Sequence, residues 1–121
     1  MIKKISAVQA QQLMTTNDTF IINIVASWCS DCTEQAENTP NFAKHFSDMN
    51  IDFYQLNVQN TKSEFLSDSH QQITELFGGH GYPRTVLVKE GKILDSENVE
   101  VISNTSLTHL AEKFTSKLIS N

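Results

Sequence analysis

Apolar positions along this chain follow two rhythms. Residues 20–26 are apolar on both faces and rich in β-branched side chains, the signature of a strand covered on both sides in a parallel sheet. Ahead of them, residues 2–5 predict a short edge strand, and Ser6 predicts the cap of a helix running to about Met14, with Val8 and Leu13 among its apolar members. Asn17 and Asp18 mark a turn. Residues 29–49 read as one helical segment, with Phe42, Phe46 and Met49 at helical spacing. A second central strand is predicted over 51–58, carried by Ile51, Phe53, Leu56 and Val58. Residues 61–77 predict a long helix with Phe65, Leu66, Ile73, Leu76 and Phe77 on its apolar side and Gly78 as its stop. A hairpin follows: a strand over 84–89, a tight turn at Glu90-Gly91 and a return strand over 92–95 or somewhat beyond. The last helix, about 105–119, repeats Leu107, Leu110, Phe114 and Leu118. This order predicts an α/β domain, a mixed sheet flanked by helices on both faces, with one domain spanning 1–121.

Composition narrows the function. The chain has 121 residues, 39% of them apolar, and a net charge of −5, which argues against nucleic acid and anionic membrane surfaces as partners. No apolar run approaches the roughly 20 residues of a membrane span. The N-terminal segment turns polar at Gln9, Gln11 and Gln12 and does not read as a signal peptide, so a cytoplasmic location is expected. His45, His70 and His109 are scattered without ligand spacing, and no metal site is expected.

The chemistry lies in Trp28-Cys29-Ser30-Asp31-Cys32, which holds the only two cysteines. A C-x-x-C pair at a strand-to-helix junction reads as a thiol–disulfide redox site. Residues three apart share a helix face, and that spacing brings two sulfurs within bonding reach. Unpaired N–H groups at a helix start favour the thiolate, the attacking species in disulfide exchange. The pair would sit at the carboxyl end of a central strand, where open α/β sheets place their sites.

With these pieces in order, the chain resembles the thioredoxin family over nearly its whole length. The resemblance rests on Ala26-Ser27-Trp28-Cys29-Ser30-Asp31-Cys32, on Leu56-Asn57-Val58 ending a strand, on Gly81-Tyr82-Pro83-Arg84-Thr85-Val86-Leu87-Val88, and on Lys89-Glu90-Gly91-Lys92-Ile93. It implies a thioredoxin-like fold and a dithiol–disulfide oxidoreductase that reduces disulfides of proteins or small molecules. Cys29 would be the exposed nucleophile and Cys32 the buried resolving thiol. Trp28 would cover one side, and Tyr82-Pro83 would be the family's cis-proline loop, offering backbone hydrogen bonds to an extended peptide. No flavin or nicotinamide motif is present, so no cofactor is expected, and an external thiol reductant or reductase must return the electrons. A monomer is expected.

Several positions depart from the family pattern. The family's buried aspartate is Asn23 here, and its lysine neighbour is Gln55, so a buried ion pair becomes two amides that cannot take a proton from the resolving thiol. Ser30-Asp31 stands between the cysteines, and the Asp31 charge disfavours a nearby thiolate. This implies a reducing rather than an oxidising protein. Gly78-Gly79-His80-Gly81 predicts a flexible loop beside the site, with His80 a proton donor or a bystander. Tyr82 and Arg84 flank the proline and would narrow the groove, with Arg84 placed to offset Asp31. The family's glycine before the last helix has no counterpart in residues 95–104, which implies an altered docking face. Pro40 either kinks the long helix or restarts it with Thr39 as cap. The alternative to an enzyme is a thioredoxin-fold binding or accessory module whose thiols are slow or vestigial.

Overall fold

The two-sided apolar run becomes the middle strand of a sheet buried on both faces. The computed structural model describes residues 2–120. Along the chain these form β1 (Ile2–Lys4), α1 (Ala7–Leu13), β2 (Phe20–Ala26), α2 (Ser30–Ala36), α3 (Thr39–Ser47), β3 (Asp52–Gln59), α4 (Asp68–Leu76), β4 (Arg84–Lys89), β5 (Lys92–Val99) and α5 (Asn104–Ser120). The five strands lie in the order β1-β3-β2-β4-β5. β3 runs parallel to both β1 and β2, whereas β4 is antiparallel to β2 and β5. The mixed α/β sheet expected from the sequence is therefore the observed one.

Alternate residues of a strand face opposite sides of the sheet. Ile22 and Ile24 of β2, with Leu56, Val86 and Val88, pack against Ala7 and Ala10 of α1 and against Ile73 and Phe77 at α4. Ile21, Phe53 and Leu87 face the other way, onto Phe42 and Phe46 of α3 and Leu107, Leu110 and Phe114 of α5. Phe42 organises that side, its ring centroid 5.0 Å from Phe46, 5.8 Å from Phe53 and 6.2 Å from Phe114.

Three sequence expectations change. Residues 29–49 form two helices, the restart that Pro40 allowed: the turn after Ala36 breaks the ladder and Pro40, which lacks an N–H, falls in the first turn of α3. Asn38, not Thr39, precedes α3; its side chain donates to the Ile102 carbonyl at 2.9 Å instead of capping the helix. The helix expected over 61–77 begins only at Asp68, where the Ser67 side chain accepts from the His70 N–H. Ahead of it, Leu66 N–H donates to the Val58 carbonyl at 3.0 Å, so the segment lies along the end of β3 rather than coiling. Finally, Met49, Leu66 and Leu76, apolar-face residues by spacing, are 38%, 45% and 51% exposed: Met49 lies past the end of α3, Leu66 ahead of α4, and Leu76 is the last residue of α4. The return strand runs on to Val99, and the Glu90-Gly91 turn has both residues at positive φ (52° and 78°), as a two-residue hairpin turn requires.

A buried acid ties β5 to α5. Asp95, with its side chain 2% exposed, lies 3.2 Å from Lys113 Nζ and 3.0 Å from Lys117 Nζ. Asn98 Nδ2 donates to Asp95 Oδ1 at 2.7 Å, and Lys113 Nζ donates to Asn98 Oδ1 at 2.9 Å. Burial alone would raise the Asp95 pKa; the Lys117 ammonium, the Glu97 N–H and Lys113 outweigh it and hold the carboxyl below its ordinary value. A carboxylate with a depressed folded-state pKa contributes its stability above the unfolded value, about 3.9, and loses it as pH falls through the folded value. Asp95→Asn is expected to lower unfolding free energy by about 2 kcal/mol at neutral pH, less than a fully buried pair because both lysines are partly solvated. Denaturant unfolding at stepped pH should show the deficit constant above about pH 4 and shrinking below it.

Candidate active site

The strand-to-helix corner after β2 is fastened before any sulfur chemistry begins. Ser27 N–H donates to Asn57 Oδ1 at 3.0 Å, and Ser27 Oγ donates to Asn60 Oδ1 at 2.9 Å. Trp28 Nε1 donates to Gln59 Oε1 at 3.1 Å, which fixes the indole over the end of β3. Cys29 N–H then reaches the Ala26 carbonyl at 3.0 Å. Cys29 is the N-cap of α2, with extended backbone (φ −86°, ψ 113°). Its Sγ accepts the Cys32 N–H at 3.2 Å, so the sulfur takes one of the donors that a helix start leaves unpaired. Ser30 is exposed, and Asp31 is half-buried in the first turn of α2.

The Tyr82–Pro83 peptide bond is cis. The loop it forms faces the sulfur, with the Cys29 thiol donating to the Tyr82 carbonyl at 3.7 Å. Tyr82 is buried, its ring edge-on to Trp28 at 6.0 Å and to His80 at 5.1 Å. Burial, foremost, raises the Tyr82 phenol pKa.

The expected contrast between an exposed and a buried thiol takes a different form. Cys29 is 6% exposed and Cys32 7%, because Trp28, Tyr82 and the start of α2 close around both. What separates them is access. Cys29 lies on the lining of a cleft of about 290 Å³ shared with Trp28, Asp31, His80, Tyr82 and Glu100, and Cys32 does not. Both cysteines are free thiols. Burial, followed by the hydrogen bond with Cys29, pushes the Cys32 thiol up to about 12. A larger cavity of about 630 Å³ lies between α3 and α5, lined by Phe42, Leu107 and Ala111, away from the sulfurs.

Asn23 and Gln55 meet as the register predicts, side by side on adjacent strands. Gln55 Nε2 donates to Asn23 Oδ1 at 3.3 Å, and Asn23 Nδ2 donates to Gln35 Oε1 at 3.1 Å. Gln35 Nε2 in turn donates to the Val101 carbonyl at 3.0 Å. This amide chain runs from β3, across the sheet, to the loop before α5. Asn23 and Gln35 are 0% and 1% exposed, yet neither carries charge. Sequence reasoning missed Gln35; its only signal was a polar residue one turn after Cys32 on the inward face.

Arg84 does not reach Asp31. Its guanidinium is buried and donates to the Ser96 carbonyl at 2.6 Å and the His80 carbonyl at 3.1 Å. The glycines before it make room: a Cβ at Gly78 would stand 2.6 Å from Arg84 Nη1. The segment expected to be a flexible loop is thus clamped at His80 by Arg84, while the His80 side chain is exposed. Glu100 was not anticipated either. It occupies the loop before α5 with a left-handed backbone, φ 61°, at a place where glycine is ordinarily favoured. Its N–H donates to the Pro83 carbonyl at 2.8 Å. Among the described residues, no three His, Cys, Asp or Glu side chains gather as a metal's ligands would, and no helix is long and apolar enough to cross a membrane.

Comparison with known proteins agrees with this geometry. The chain matches the thioredoxin family model over residues 3–115. A search among curated proteins finds no match. Solved structures with the same fold include oxidised thioredoxin from Plasmodium falciparum, 20% identical, TM-score 0.70, with 94% of this chain and 98% of that one covered. Fasciola hepatica thioredoxin is 19% identical at TM-score 0.67, covering 95% of this chain and 98% of its own. Spinach chloroplast thioredoxin F is 12% identical at TM-score 0.69, covering 97% and 93%. With the family model spanning all but the ends, and the cysteine pair capping a helix opposite a cis-proline loop, the chain belongs to the thioredoxin family.

Proposed function

We propose that this protein is a dithiol–disulfide reductase in which Cys29 attacks and Cys32 resolves. The observation that carries this reading is the placement of Cys29 on the lining of an open cleft, its Sγ accepting the Cys32 N–H and facing the Tyr82 carbonyl. Cys29 as thiolate attacks one sulfur of the substrate disulfide. A Cys29–substrate bond forms, and the other substrate sulfur leaves as a thiolate that takes up a proton. Cys32, once deprotonated, attacks Cys29 Sγ, which releases the second substrate thiol and leaves a Cys29–Cys32 disulfide. Two electrons have passed to the substrate, and an external thiol reductant or reductase returns them. Trp28 and Tyr82-Pro83 wall the cleft that the substrate chain would enter. Such a cycle suits a reducing compartment, and the reading includes the cytoplasm and a monomeric chain.

The second reading, a binding module with slow thiols, draws on the Tyr82 ring that crowds the groove between Trp28 and His80. Insulin reduction with dithiothreitol separates the two. The enzyme reading expects turbidity well ahead of Cys29→Ser, and Cys32→Ser should accumulate trapped mixed disulfides; wild type no faster than Cys29→Ser rejects it.

The resolving step has a predicted pH signature. Only the thiolate attacks, and burial holds the Cys32 thiol up at about 12. The amides at Asn23 and Gln35 accept no proton. Release of a preformed Cys29 mixed disulfide should therefore rise about tenfold per pH unit between roughly pH 7 and 10. Asn23→Asp puts a proton acceptor into the buried layer and should speed release near neutral pH and flatten that slope. It should cost on the order of 3 kcal/mol of stability, because a carboxylate would be buried among amides. Stopped-flow release from a chromogenic mixed disulfide measures both; an unchanged rate would show that the proton leaves by another route.

A further inference from the structure

The cleft in front of Cys29 is electrically one-sided. Asp31 and Glu100 both line it, and no lysine or arginine does. Two cations stand near it, outside the lining. Arg84 is buried and bound to the Ser96 and His80 carbonyls. Lys62 Nζ sits 5.7 Å from the ring centroid of Trp28, which lines the cleft, although Lys62 itself does not, so it offsets the two carboxylates only in part. His80 can add at most one positive charge against two carboxylates.

Glu100 is held in place from two sides. Its own N–H is fixed to the Pro83 carbonyl at 2.8 Å, and the next carbonyl, Val101, is held by Gln35 Nε2 at 3.0 Å. Its backbone is in the left-handed region, φ 61°, which few residues other than glycine adopt readily. The loop thus presents a carboxylate where the family pattern leaves a bare backbone for close approach. Asp31, on α2, faces the same cleft from the opposite element.

We propose that Asp31 and Glu100 form an acidic rim that selects peptide disulfides flanked by lysine or arginine and turns away anionic ones. This rests on the reductase reading above and names its substrate class. At contact range in a water-like medium, one carboxylate changes the encounter with a unit charge by roughly two- to threefold. It favours a cation and disfavours an anion, so each carboxylate shifts the cation-to-anion ratio by about fivefold. Rim charges of this kind act mainly on association rate and are weakened by salt.

The test uses three small disulfides: cystamine (cationic), bis(2-hydroxyethyl) disulfide (neutral) and dithiodipropionate (anionic). Each reduces the intrinsic chemistry to a common step, and each rate is divided by that of dithiothreitol under the same conditions to remove leaving-group effects. Trp28, the only tryptophan, lies beside the pair and serves as the fluorescence reporter of oxidation. At low ionic strength the normalised cation-to-anion ratio should be on the order of tenfold or more. Glu100→Gln and Asp31→Asn should each lower it about fivefold, and Glu100→Lys, which sets one cation against Asp31, should bring it to about one. Added salt at about 0.5 M should collapse the wild-type ratio, a readout that needs no variant. A ratio near one in wild type, or one indifferent to both salt and Glu100→Gln, overturns the rim. A neutral disulfide reduced no faster than by Cys29→Ser overturns the reductase reading itself.

Discussion

One hydrogen bond organises the site: the Cys32 N–H to the Cys29 sulfur at 3.2 Å. A helix start leaves backbone donors without partners, and most proteins satisfy them with a hydroxyl or carboxylate. Here the cap is a thiol, so the atom that begins α2 is also the sulfur that the proposed reaction uses. Its position follows from what precedes it. β2 ends at Ala26, Ser27 is tied to Asn57 and Asn60, and Trp28 is tied to Gln59. With that corner fixed, Tyr82-Pro83 has a fixed object to face, and the cleft has a floor.

The two thiols differ by surroundings more than by exposure. Nearly equal fractions of each residue reach solvent, yet only Cys29 meets the cleft. Cys32 is enclosed, and enclosure disfavours its charged form.

The layer beneath the pair resolves a different cost. A buried carboxylate–ammonium pair pays several kcal/mol per ion in desolvation, whereas satisfied amides avoid that penalty. Gln55, Asn23 and Gln35 pass hydrogen bonds across the sheet and end on the Val101 carbonyl, so they brace the loop that carries Glu100. Charge is present instead at Arg84, whose guanidinium spends its donors on the Ser96 and His80 carbonyls and holds the glycine segment closed. The neutral layer and the buried arginine both make the site's supports rigid, while the carboxylates that remain are left at the rim.

Much of this was legible in the chain. A two-sided apolar run must lie inside a sheet, a Glu-Gly turn between apolar strands must make a hairpin, and two cysteines three apart at a strand end must share a helix start. Asn23 and Gln55 could be read as amides in place of charges from the family pattern the chain resembles, and the strand register pairs them. Tertiary contacts decided the rest. Pro40 already marked a kink or restart within 29–49, whereas whether 61–67 coiled depended on Leu66 finding Val58. Gln35, Arg84 and Glu100 acquired their roles from carbonyls 4 to 66 residues away or from a loop folded back on Pro83. Periodicity and local spacing reflect forces between neighbours along the chain, and so determined the elements and the reactive pair. Which polar group satisfies which distant carbonyl is a matter of packing in three dimensions, and that alone set the access, the bracing and the charge of the site.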